Sequence, residues 1–327
     1  MCYCAIKNQA MSEALRVLDE VRLNFSPQGL FTLNITLAFI MFGVALEIKV
    51  EHFKNIWKNK RLPVIGFISQ FLILPFVTFL IIVALNQFIT PTLAMGMILV
   101  ASCPGGNISN FISSLAKGNT ALSVTLTAIS TISAIALTPF NFLFWGGLYT
   151  NVVSHIDSQT LLRPLEIQPI YIFETVFILL GIPLILGMAF NHFLPRITAK
   201  IVKPIKVISI IFFSAIVIIA FHHNYDHFMH FIKYIFFLVL IHNAIGLLAG
   251  YSFAGFTHCG ETDRRTITIE TGIQNSGLAL VLLFNPRIFP PGLANGGMAF
   301  IAAWWGIWHI LSGLLIAWYW SRRKPAT

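Results

Sequence analysis

Long apolar runs alternate with short polar connections along most of the chain. Stretches at 29–48, 62–86, 91–115, 119–147, 169–194, 205–221, 231–256, 266–285 and 296–320 each offer enough mostly apolar residues to cross a bilayer, a crossing that takes roughly 20. None shows the period-two alternation of a membrane barrel. Unpaired backbone groups are costly in hydrocarbon, so each stretch predicts a helix. The expected fold is an all-α integral membrane protein of about nine transmembrane helices over residues 29–321. Residues 1–28 are polar, lack the apolar stretch of a signal peptide and hold a second candidate start at Met11, so they stand outside the functional reading. Residues 322–327 form a basic tail.

Composition excludes a soluble domain, because 57% of residues are hydrophobic and only 10% are charged. The formal charge of +9 does not point to nucleic acid, since Lys and Arg sit in connections between spans and form no basic domain. Their distribution sets orientation instead. Alternate threading puts Lys49, Lys54, Lys58, Lys60, Arg61, Lys117, Arg196, Lys200, Lys203, Lys206, Arg264, Arg265, Arg322, Arg323 and Lys324 on one side, which is 15 of the 21 basic residues. That side is expected to be cytoplasmic, giving a multi-pass inner-membrane protein with its N-terminus outside and its C-terminus inside. Cys2, Cys4, Cys103 and Cys259 make neither a disulfide framework nor a zinc pattern.

Two spans are interrupted in a related way. The third carries Cys103-Pro104-Gly105-Gly106-Asn107-Ile108-Ser109-Asn110 at its middle, and the eighth carries Glu270-Thr271-Gly272-Ile273-Gln274-Asn275-Ser276-Gly277. Pro removes a backbone donor and Gly weakens a helix, so Pro-Gly-Gly at mid-membrane predicts a break. The exposed backbone groups are tolerable where they line a cavity, although Gly and Pro are also simply common in membrane helices. The odd offset between third and eighth spans gives them opposite directions, as two inverted repeats would, one over about 29–148 and one over about 169–321.

Glu270 sits at the second break, and a buried acid needs a partner. With no Lys or Arg at its depth, a bound cation or a proton is the remaining neutraliser. Oxygen-bearing side chains suited to a hard cation accompany it: Ser109, Asn110, Gln274, Asn275, Gln70 in the second span, and Ser123 and Thr127, four apart on one face of the fourth. Singly, each also reads as a packing hydroxyl or amide. Glu174 is expected at the outer interface, and His242-Asn243 and His309 serve equally as structural donors or as cavity residues. His222, His223, His227 and His230 are expected in a solvated interfacial loop.

The motif at 103–110, followed by Lys117-Gly118-Asn119 and Ala121-Leu122-Ser123-Val124-Thr125-Leu126-Thr127, closely resembles the bile acid:sodium symporter family. So does Glu270 to Ala279, and the resemblance runs from about residue 35 to the end. It implies an inverted-repeat transporter with two crossing discontinuous helices, a core domain, a panel domain and alternating access. It also implies two sodium ions as coupling ions and no other cofactor. By motif position, the first ion takes Ser109, Asn110, Ser123, Thr127 and Glu270; the second takes Gln70, Glu270, Gln274 and carbonyls near Thr271 and Ile273. The implied substrate is a small organic anion, bile acid-like, pantothenate-like or a 2-keto acid, held by Asn107, Asn275 and His309. Ile310 stands where the family pattern has Asn and cannot donate a hydrogen bond, which argues against bile acid itself.

The expectation is therefore a sodium-coupled symporter, monomeric, with lipid, sodium and an organic anion as partners. The alternatives are a proton-coupled or arsenite-type efflux carrier, with Cys103 as a thiolate ligand, and a non-transporting receptor. A membrane enzyme is not expected, because paired acids at common depth and an HExxH motif are lacking.

Overall fold

The computed structural model describes residues 17–18, 27–48, 60–106, 108–156, 168–223, 225–290, 293 and 295–323. Every one of the apolar stretches overlaps a helix: α1 Pro27–Ala45, α2 Arg61–Ala84, α3 Pro91–Ser102, α4 Ser109–Leu115, α5 Thr120–Ile156, α6 Pro169–Phe193, α7 Pro195–His223, α8 Tyr225–Phe256, α9 Glu261–Gly272, α10 Ser276–Phe284 and α11 Gly296–Ser321. Five helices among the described residues are long and apolar enough to cross a membrane: α2, α6, α11, and the Thr120–Ser154 and Phe231–Phe256 parts of α5 and α8. Helix ends outrun the apolar stretches. The α9 helix starts at Glu261 and not near 266, because hydrogen bonding continues through its polar first turns while hydropathy registers only the apolar part.

Prolines punctuate this architecture. Pro91 opens α3 behind Thr90, whose hydroxyl accepts from Leu93 N, and Pro169 opens α6. Within α2 a π turn over Ser69–Ile73 precedes Pro75, with the Leu74 N–H bonded five residues back to Ser69. The α6 helix repeats the pattern at Phe177–Gly181, ahead of Pro183.

The two predicted interruptions are real breaks, and they meet. Cys103 and Ile273 leave their helices in extended backbone, and Gly105 pairs with Gln274 in an antiparallel bridge. Gly106 N donates to Ile273 O at 2.7 Å and Asn275 N donates to Pro104 O at 2.8 Å, so each break satisfies the other's backbone.

Close backbone approaches at small residues hold the helices together. A Cβ on Gly187 of α6 would lie 2.5 Å from Ala45 Cβ in α1, and one on Gly96 of α3 would lie 2.7 Å from the Met298 Cα of α11. The exterior is apolar, with Phe193 and Phe256 exposed at 76% and 84%, while Gln70, Ser109, Ser123, Thr127, Glu270 and Gln274 are buried. Polar inside and apolar outside suits a hydrocarbon surrounding.

Connections that alternate threading puts on one face touch one another. Arg61 donates to Thr257 O at 2.5 Å, Asn119 to Asp263 at 2.8 Å, and the buried Arg265 to Ala116 O and Trp320 O at 3.0 and 3.1 Å. At the other connections Glu174 pairs with Arg287 at 3.1 Å, where both are well exposed, and Asn285 donates to Thr175. The expected histidine loop is not one: His222 and His223 end α7, and His227 and His230 lie in α8, because helical hydrogen bonding runs on through these polar residues up to His223 and again from Tyr225. His222 is exposed, while the side chains of the other three lie outside the described set.

Candidate functional site

The junction of the breaks gathers the predicted oxygen ligands around one carboxylate. Ser109, first residue of α4, donates to Glu270 Oε1 at 2.8 Å, and Ser123 of α5 donates to the same oxygen. Thr127, one turn further along α5, reaches Oε2 at 3.4 Å. Asn110 closes the group, because its Oδ1 accepts from Ser123 Oγ at 2.8 Å and from Thr127 Oγ1 at 3.1 Å. The four-residue spacing of Ser123 and Thr127 puts both hydroxyls on one face, and the break puts Ser109 and Asn110 at the start of α4 opposite them.

The second predicted set adjoins the first. Gln70, inside the π turn of α2, donates Nε2 to Glu270 O at 3.2 Å, and Gln274 donates Nε2 to Thr271 O at 2.7 Å. A Cβ at Gly105 would meet Gln70 Nε2 at 2.7 Å and Glu270 Oε2 at 3.1 Å. Gly105 therefore leaves a small polar space between amide and carboxylate that any side chain would fill. Ile273 O is engaged by Gly106 N and Thr271 O by Gln274 Nε2, so both carbonyls expected near the second ion are already bonded.

Among the described residues the carboxylate has no charged partner of its own. Glu270 is 1% exposed and no ion pair involving it occurs among the described residues. Arg265, one and a half turns earlier in α9, spends its guanidinium on Glu261, Ala116 O and Trp320 O. Gln274 Oε1 is buried and accepts no hydrogen bond, an unmet acceptor of a kind that suits a hard cation. The donor set is all oxygen, which fits sodium and not a soft metal.

A cavity of about 640 Å³ opens beside the junction. One wall is the junction itself, with Gly106, Asn110, Gln274, Asn275, Ser276 and Gly277; another is the apolar face of α1 and α7, including Leu37, Ile40 and Val207. Asn275 and His309 of the predicted substrate set both line it, as does Ile310. Asn275 also caps α10, accepting from Leu278 N at 3.0 Å, so its amide N–H2 is the group left to face the cavity. His309 Nδ1 and Ser209 Oγ are buried without hydrogen bonds. Asn107 lies outside the described residues. Glu47 and Lys203, just after α1 and near the start of α7, are the charged groups among the lining residues.

Of the supporting residues, the sequence singles out His242 and Asn243 but not Asn141. Asn243 donates to Gly272 O at 2.8 Å at the end of α9 and accepts from Ser312, holding the break from α8. His242 bonds Thr78 at 2.8 Å and packs on Trp305, which makes it a cross-helix structural contact. Asn141 bonds the Phe71 carbonyl at the π turn. Each is a lone polar residue in an apolar stretch, a pattern that marks interest but not a partner.

Ser123→Ala and Thr127→Ala should each weaken sodium dependence by a few-fold, about 1 kcal/mol for one neutral ligand. A titration of sodium-dependent thermal unfolding for each variant checks this.

Comparisons with known proteins follow the same line. The model of the sodium bile acid symporter family matches residues 34–231. The uncharacterized sodium-dependent transporter YocS of Bacillus subtilis is 33% identical over 309 residues, which is 92% of this chain and 88% of that protein. A probable chloroplastic sodium/metabolite cotransporter, BASS2 of Oryza sativa, is 29% identical over 84% of this chain and 64% of its own length. The mouse P3 protein is 28% identical over 80% of this chain, which spans about half (52%) of that longer protein. The family and the named transporters are membrane carriers and not enzymes. With a family match over more than half its length and a relative aligned nearly end to end, the chain belongs to the sodium bile acid symporter family.

Proposed function

We infer that the protein is a secondary active transporter that couples inward movement of sodium to symport of a small organic anion. The observation that carries this is the convergence of Ser109, Ser123 and Thr127 on the buried Glu270, with no cationic side chain among the described residues to neutralise it. One sodium is held by Ser109, Asn110, Ser123, Thr127 and Glu270, and a second by Gln70, Glu270, Gln274 and the carbonyls of Thr271 and Ile273. The helices thread the inner membrane nine times, with the N-terminus outside and the C-terminus cytoplasmic, and a single chain suffices. The junction helices form a core that moves against a panel containing α1, α6 and α7, exposing the cavity alternately to the two sides.

The anion occupies the cavity beside the junction, where the N-terminal end of α10, the Asn275 amide and His309 meet an apolar wall. Asn107 joins them by motif position. A bile acid-like, pantothenate-like or 2-keto acid carboxylate suits such a mixed lining, and Ile310 turns the site toward anions that need fewer hydrogen bonds. Sodium orders the junction first, and the ordered junction then presents these groups to the anion.

Uptake by proteoliposomes, measured for a panel of organic anions with an inward sodium gradient and again with potassium in its place, tests this directly. At least one anion should accumulate only with sodium; equal uptake in both salts would refute the coupling. The arsenite-type alternative is disfavoured by Cys103, which is buried, donates Sγ to Leu99 O at 3.3 Å and is not among the cavity residues. Cys103→Ala should leave sodium-driven uptake within about twofold of wild type. Loss of transport in that variant, with dependence on a pH gradient, would instead support the thiolate carrier.

A further inference from the structure

Pro75 follows the π turn of α2 and has no N–H. In an uninterrupted α-helix, the N–H of residue 75 would serve the Phe71 carbonyl four residues back. Here that carbonyl turns to α5, where Asn141 Nδ2 donates to it at 2.9 Å. Both residues are buried, so the amide supplies this interior carbonyl with a donor where Pro75 has none. The Pro183 turn in α6 has the same spacing, so both π turns lie just ahead of a proline.

The turn has a consequence for Gln70. A π turn inserts one extra residue, which changes the helical phase of everything before it by about 100° relative to everything after it. The part of α2 after the turn, Leu74–Ala84, is fixed against α3, α5 and α8. Gln70, inside the turn, is thereby swung to Glu270, where Nε2 meets the backbone carbonyl at 3.2 Å beside the Gly105 space. Were the turn to relax into regular α-helix, Gln70 would point elsewhere.

We propose that Asn141 is a positioning residue for the second sodium site: by holding the Phe71 carbonyl, it keeps the π turn that aims Gln70 at Glu270. This rests on the reading of Gln70, Glu270 and Gln274 as sodium ligands, to which Asn141 does not itself belong. Residues that orient a ligand typically matter by about 10–100-fold in metal affinity.

The test uses the purified full chain in detergent, following its melting temperature as sodium chloride replaces potassium chloride at constant ionic strength. Asn141→Leu should raise the sodium concentration at half-maximal stabilisation by about tenfold. The double variant Asn141→Leu/Pro75→Ala separates positioning from plain stability, because the introduced alanine restores an N–H for Phe71 O while removing the reason for the turn. Its melting temperature in potassium should recover toward wild type while its sodium midpoint stays raised. Recovery of both, or a wild-type midpoint in Asn141→Leu, would overturn the proposal. If Asn141→Leu does not fold, Pro75→Ala alone decides: a raised midpoint supports the proposal and an unchanged one overturns it. A wild type that responds no more to sodium than to potassium would refute the symport reading and this inference with it. That outcome is distinct from a sodium-responsive wild type with unaffected variants, which refutes the inference alone.

Discussion

Glu270→Gln is expected to reduce sodium-driven uptake to background while the protein stays folded. Glutamine keeps the size of the side chain and one carbonyl oxygen, so Ser109 and Ser123 retain an acceptor. What it loses is the negative charge that both proposed ions share. Breaking a buried charge pair by neutralising one member is worth at least about 3 kcal/mol, so the sodium needed for half-saturation should rise on the order of a hundredfold. The sign of the stability change should depend on the salt. In potassium, the wild type buries a carboxylate without a counter-ion, and the neutral variant should melt at or above it. In sodium the order should reverse, because binding to the folded state stabilises only the wild type. Melting curves for both proteins in both salts check this, and a variant less stable than wild type in potassium would show that the carboxylate has a structural partner instead.

Gly106→Ala should disrupt the junction with a single methyl. Its Cβ would lie 3.0 Å from the Gln274 carbonyl oxygen, 3.3 Å from that carbonyl carbon and 3.2 Å from Ile273 Cγ2. Two of these are backbone atoms, held by the Gly106–Ile273 and Asn275–Pro104 hydrogen bonds, so they cannot step aside as a flexible side chain would. Relief requires the two breaks to separate, at a cost of about 2–4 kcal/mol from strain and weakened hydrogen bonds. Transport should be lost with the junction. Gly147→Ala is the control, since a Cβ there meets nothing within 4 Å. It should be neutral in both uptake and melting temperature; equal damage from the two substitutions would mean that the junction is not the sensitive point.

Much of this architecture is legible in the residues because the membrane imposes simple rules. Apolar length predicts the helices, Pro104-Gly105-Gly106 predicts the first break, and an uncompensated Glu270 beside amides predicts a cation site. Helix ends are less legible, since the polar first turns of α9 and the beginning of α7 are helical without being apolar. Among the described residues five helices meet a length-and-hydropathy standard on their own, and the breaks leave α3 and α10 too short for it. The support around the site was not legible. Nothing local says that Asn141 bonds Phe71 or that Asn243 bonds Gly272, because such pairs are 70 and 29 residues apart and depend on helix rotation. Arg265 illustrates the same limit. It reads as one more cation of a connection, yet it is 2% exposed and ties the carbonyl ends of α4 and α11 to α9.

Direct equilibrium binding of radioactive sodium to the purified protein is the closest test of the central claim, that the oxygen cluster at the meeting of the two breaks is a sodium site. The wild type should bind sodium saturably, with displacement by unlabelled sodium and not by potassium, and Glu270→Gln should show no saturable binding in the same range. Binding that is absent from the wild type, or that survives unchanged in Glu270→Gln, would contradict the account.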